Sequence, residues 1–175
     1  MRRTVLWLRT LSLASAAILL GSCERAPVAP VAPPVAADDV SDSWWLQGLL
    51  LKCSPLPYDS VAAVIGPDGG SLSVGPHTFT VPPGALDTAT VITAVVYPNT
   101  VNQVRFTPQG LAFQQPASLR MSYANCNLLG LLIPKRIAYV TDDFQILQLI
   151  PSLDDVLNQR VTGQVSHFSQ YAIAW

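Results

Sequence analysis

From Val61 onward the chain is a series of short apolar runs separated by Gly, Pro and Asn, and within most runs apolar and polar residues alternate. The runs read VAAVI at 61–65, GGSLSV at 69–74, HTFTV at 77–81, TVITAVVY at 90–97 and QVRF at 103–106. ASLRMSY at 117–123, RIAYV at 136–140 and QILQLI at 145–150 continue the series. A period of two places alternate side chains on opposite faces of a strand. Many such runs spaced by turn residues predict an antiparallel all-β sandwich. One stretch departs from the pattern: Ser152, followed by Leu153 and Asp154-Asp155, fits an N-cap and an acidic first turn, which predicts a short helix over Leu153–Asn158. The expected fold is therefore an all-β antiparallel sandwich with one short helix near the C-terminus. No self-similarity at about 20 to 50 residues indicates a propeller or solenoid.

The final run, Arg160 to Trp175, reads RVTGQVSHFSQYAIAW and is expected to form one closing strand. Val161, Val165, Tyr171, Ile173 and Trp175 fall on odd positions and share a face, but His167 and Ser169 fall on it too. Polar groups on a buried face need partners or a function, so this strand is the first place to look for chemistry.

The N-terminus changes the setting. Three arginines within Met1–Arg9 precede an apolar run over Thr10–Leu20, the layout of an export signal and too short for a bilayer span of roughly 20 apolar residues. Leu20-Gly21-Ser22-Cys23 resembles the lipobox of bacterial lipoproteins. That resemblance implies cleavage before Cys23, diacylglycerol on its thiol and acylation of its amine, and two or more chains anchor stably. A plain secretory signal is the alternative. Glu24–Ser43 then carries four prolines among alanines and valines, without strand or helix period. Such a segment favours polyproline II and would act as a spacer reaching up to about 60 Å. Ten lysines and arginines, less the three in the signal, leave seven against 11 acidic residues, a net charge of about −4. Without a basic patch, nucleic acid is not an expected partner.

With Cys23 assigned to lipid, Cys53 and Cys126 form an even pair in an exported chain, which suits a disulfide; two free buried thiols are the alternative. Trp44-Trp45 opens an apolar lead-in over residues 44–60. It can serve as a cover on the domain, or the tryptophan pair can stack on a sugar ring or touch headgroups.

Gly69-Gly70-Ser71-Leu72, Phe79-Thr80-Val81-Pro82-Pro83-Gly84-Ala85-Leu86 and Thr90-Val91-Ile92 together resemble the opening of the ZU-five domain. Thr107-Pro108-Gln109-Gly110-Leu111-Ala112-Phe113 and Pro116-Ala117-Ser118-Leu119 resemble that family's next signature. The family, found in zonula occludens proteins, netrin receptors and ankyrins, implies a β-sandwich over residues 61–175 used for protein contacts. It also gives His167-Phe168-Ser169 a specific chemistry, because some members cleave themselves at H-F-S. By that resemblance Ser169 Oγ would attack the Phe168 carbonyl, His167 would take the hydroxyl proton, and water would open the ester. Such a reaction needs a strained peptide, and cleavage would free only residues 169–175.

Other constellations are weaker. With the cysteines paired, His77 and His167 cannot assemble an ordinary zinc site. Asp142-Asp143 and Asp154-Asp155 are explained by a turn and a helix start without calcium. Neither a phosphate-binding glycine loop nor a G-x-S-x-G elbow occurs, and no metal or cofactor is expected. The sequence reads as a signal over residues 1–22, a lipidated tether over 23–43, the lead-in and the sandwich. The expected role is a binding or structural module held by lipid at the bacterial cell envelope, meeting an envelope protein or glycan, with self-cleavage as the alternative.

Overall fold

A computed structural model describes residues 48–128 and 133–175; the expected signal, Cys23, the expected tether and Trp44-Trp45 lie outside the described residues. Eleven strands are described: β1 Asp59–Ile65, β2 Gly70–Val74, β3 His77–Val81, β4 Thr90–Val96, β5 Gln103–Thr107, β6 Ala112–Ser122, β7 Arg136–Val140, β8 Ile146–Ile150, β9 Ser152–Asp155, β10 Arg160–His167 and β11 Gln170–Ala174. They form two sheets, ordered β1-β4-β5-β11-β7-β8 and β2-β3-β6-β10-β9. Every strand pairing is antiparallel. The all-β expectation holds, and two sheets sharing one core are consistent with a sandwich.

The alternation in sequence becomes alternation in burial. In β4, Ile92, Ala94 and Val96 are buried between partly exposed neighbours. In β3, Phe79 and Val81 point inward while Thr78 and Thr80 stay outside. Ile92, Phe106, Tyr171 and Ile173 from the six-stranded sheet meet Phe79, Leu119, Met121 and Val165 from the five-stranded sheet in the main core. A second apolar cluster sits around Ala138, Val140, Ile146, Ala172 and Ala174, joined by Leu50 and Val101. The central strand β11 serves both clusters, so all five of its residues are buried. A strand in the middle of a sheet and covered on both faces loses the polar alternation expected of a half-exposed one.

The expected helix over Leu153–Asn158 is absent. Residues 152–155 form β9, paired with Arg160–Gly163 of β10, and residues 156–159 turn between them. Ser152 Oγ accepts from Ile137 N at 3.0 Å and donates to Ile150 O at 2.8 Å, so it caps no helix. Asp154 accepts from the Tyr123 hydroxyl (2.6 Å) and from Lys135 N (2.8 Å). Asp155 accepts from Asn158 N and Nδ2, closing the turn. Acidic residues suited to a helix start serve equally well as acceptors in a hairpin, and tertiary pairing decided between the two.

Two glycines of the quoted motifs have conformations that justify them. Gly69 and Gly84 have φ of +75° and +76°, and a Cβ on Gly69 would meet Val81 O at 2.5 Å. Glycine is the residue that adopts this backbone without steric cost. Pro116 falls where β6 skips register with β10, between Ala117 and Ala112, a position that requires no ladder N–H.

Candidate functional site

The final run is not one strand, as its sequence suggested. β10 ends at His167 in the five-stranded sheet, β11 starts at Gln170 in the six-stranded sheet, and Phe168-Ser169 carries the chain across the core. The physical reason is Phe168. Its side chain turns inward, 1 % exposed, into a ring cluster with Phe113 at 4.7 Å, Phe79 at 5.6 Å and Phe106 at 5.8 Å between centroids. Val161, Val165, Tyr171 and Ile173 face the main core as their odd positions imply, and Phe168 joins them out of phase.

The three carbonyls of the crossover and the Phe168 amide are engaged. Phe168 N donates to Leu111 O and Phe168 O accepts from Gly110 N, both at 2.9 Å. Ser169 O accepts from Phe106 N at 3.0 Å, and His167 O accepts from the Tyr171 hydroxyl at 2.7 Å. Burial, and then Tyr139, push the Tyr171 phenol above its usual range, so it remains protonated as the donor. Next to Ser169, buried Gln170 is clamped: its Oε1 accepts from Arg105 Nε and Nη2 at 3.0 and 2.8 Å, and its Nε2 donates to Thr141 O at 3.3 Å. Arg105 also pairs with Asp142, which occupies one of the acidic residues considered for calcium.

His167 and Ser169 are both half-buried. The His167 ring packs edge-on against Tyr139 at 5.0 Å and lies 6.2 Å from Tyr171. Among the described residues no hydrogen bond links it to Ser169, and neither Phe168 nor Ser169 has a positive φ. The premise that residues 167 and 169 share a strand face fails, because β10 ends at His167 and β11 begins only at Gln170, in the other sheet. What the site does supply is one amide, Gly110 N–H, on the Phe168 carbonyl.

Cys53 and Cys126 are disulfide-bonded, with Cα atoms 3.7 Å apart. They sit opposite each other in a short antiparallel bridge, flanked by Ser54 N to Asn125 O and Asn127 N to Lys52 O. The bridge fixes Gly48–Ser54, whose Leu50 and Leu51 are buried and whose Leu51 N donates to Ile173 O. Among the described residues no three His, Cys, Asp or Glu side chains gather as a metal site, and no helix is long and apolar enough to cross a membrane.

His77, at the head of β3, is 1 % exposed. Its Nδ1 accepts from Ser122 N at 3.1 Å and its Nε2 has no partner among the described residues. Burial lowers its pKa from 6.5 to about 4. The unfolded chain therefore takes up this proton first as pH falls. Stability is full above pH 6.5 and drains as pH drops through about 4, by about 3 kcal/mol from this group. Urea titrations at pH 7 and pH 4 should show that loss, and His77→Asn should remove most of it. An equal loss in both proteins would refute the assignment.

No protein-family model and no curated protein matches the chain, so the resemblance to the ZU-five family rests on the motif residues alone.

Proposed function

We propose that this chain is a β-sandwich binding or structural module, held by lipid on Cys23 to the bacterial envelope and facing away from the cytoplasm. The observation that carries the reading is the Cys53–Cys126 bridge. A disulfide belongs to an oxidising compartment, and this one rigidifies the segment that follows the tether, as a mount for the domain would require. On this reading the sandwich is of the ZU-five kind, supported by Gly69 and Gly84 in left-handed backbone at the two turns that carry the motifs. Expressed with its own signal in a bacterium, the chain should sediment with membranes and Cys23→Ala should release it. A wild-type chain found free, or a Cys23→Ala chain still held, would refute the anchor.

Self-cleavage after Phe168 is the second reading, favoured by the Gly110 N–H on the carbonyl that would become the oxyanion. Against it stand a histidine packed on Tyr139 and a peptide without left-handed strain. The expected result is no cleavage: denatured wild type and Ser169→Ala both run as whole chains over days at pH 7. A fragment ending at Phe168 in wild type alone would establish the reaction.

A further inference from the structure

β3, β6 and β10 lie side by side in the five-stranded sheet, and their outward positions are polar. The register aligns Thr78, Arg120 and Thr162 in one row across the three strands and Thr80, Ser118 and Gln164 in the next. Five of these residues, Thr78, Thr80, Ser118, Arg120 and Thr162, line a shallow depression of about 140 Å³. Arg120 is exposed and makes neither an ion pair nor a side-chain hydrogen bond among the described residues; the ion pair described there is Arg105 with Asp142. Asp155, in the adjoining row, is turned toward Asn158 and Arg160. The depression thus holds one free guanidinium, a ring of hydroxyls and no carboxylate.

That chemistry selects a ligand. A guanidinium offers a planar fork that fits a carboxylate or phosphate with two parallel hydrogen bonds. Serine and threonine hydroxyls both donate and accept, as sugar hydroxyls do. A peptide is a poor match: the three strands are paired on both sides and leave no edge for strand addition, and the lining has no apolar pocket to anchor a side chain. We propose that this face binds an acidic glycan, with Arg120 holding the carboxylate or phosphate of one unit and Thr78, Thr80, Ser118 and Thr162 bonding to ring hydroxyls. The proposal rests on the reading of the sandwich as an envelope binding module and names its ligand class.

Calorimetry on the full chain in detergent micelles tests it with three polysaccharides: polygalacturonate, a phosphomannan and neutral dextran. At least one anionic polymer should bind tenfold or more tightly than dextran, and which one identifies the anion. Arg120→Gln should lose that binding by tenfold or more, whereas Arg136→Gln, at an exposed position of the other sheet, should keep it. Absence of any preference over dextran overturns the proposal, and so does an equal loss in the two arginine variants. Should Arg120→Gln fail to fold, the double variant Thr80→Val with Thr162→Val is read instead: a loss of threefold or more supports the site, and unchanged binding overturns it. Membrane fractionation of the Cys23→Ala chain reads the anchor independently, so failure here leaves the envelope placement standing.

Discussion

Replacing Phe168 by alanine is expected to destabilise the fold by about 3 to 5 kcal/mol, the cost of emptying a large aromatic site in a packed core. Phe168 sits where the chain leaves one sheet for the other, and its ring touches a cluster built from both: Phe79 and Phe113 on one side, Phe106 and Tyr171 on the other. Its loss would loosen the contact between sheets as well as within one. Ser169→Ala, by contrast, removes a half-buried hydroxyl with no hydrogen bond among the described residues and should change stability by less than about 1 kcal/mol. Urea denaturation followed by tryptophan fluorescence separates the two. A Phe168→Ala midpoint within error of wild type would mean that the crossover is not the structural join described. The contrast also bears on self-cleavage, which would assign the importance to Ser169.

The second large effect belongs to the disulfide. Replacing Cys53 and Cys126 together by alanine should cost about 4 kcal/mol, because the bridge spans 73 positions and frees a long loop in the unfolded chain when removed. Native contacts change little, so amide protection at Leu51, which donates to Ile173, should persist under native conditions while global stability falls. Reductant applied to wild type should reproduce the shift, and a double variant as stable as the oxidised protein would contradict it. Both effects are large against the total stability of a domain of this kind, typically about 5 to 15 kcal/mol.

The strands were legible because their burial repeats every two residues, as in TVITAVV of β4, and because turn residues mark their ends. The disulfide was legible from the even pair of cysteines left once Cys23 is read as part of a lipobox. Three features were not. β9 was hidden because SLDDVLN satisfies the local rules for a helix start, and only the pairing of Ser152–Asp155 with β10 reveals the strand. The break at Phe168-Ser169 was hidden because a strand that changes sheets keeps its alternation on both sides; Val161 and Val165 before it and Tyr171 and Ile173 after it all face the same core. The only local sign was a phenylalanine on the even phase. The hydroxyl face was visible as period-two polar positions, but their meeting around Arg120 depends on β3, β6 and β10 being neighbours, a matter of topology that strand patterns do not encode. His77 gave no sequence signal for its burial beyond its place at the head of an alternating run.

An intact, disulfide-closed sandwich on a lipid anchor is the protein we propose. Intact mass of the full chain extracted from membranes, taken with and without reductant after denaturation, tests it most directly. The expected result is a single acylated species that begins at Cys23 and retains Trp175, and that gains the mass of two hydrogens on reduction of Cys53–Cys126. An unacylated chain, one with no mass gain on reduction, or one ending at Phe168 would contradict it.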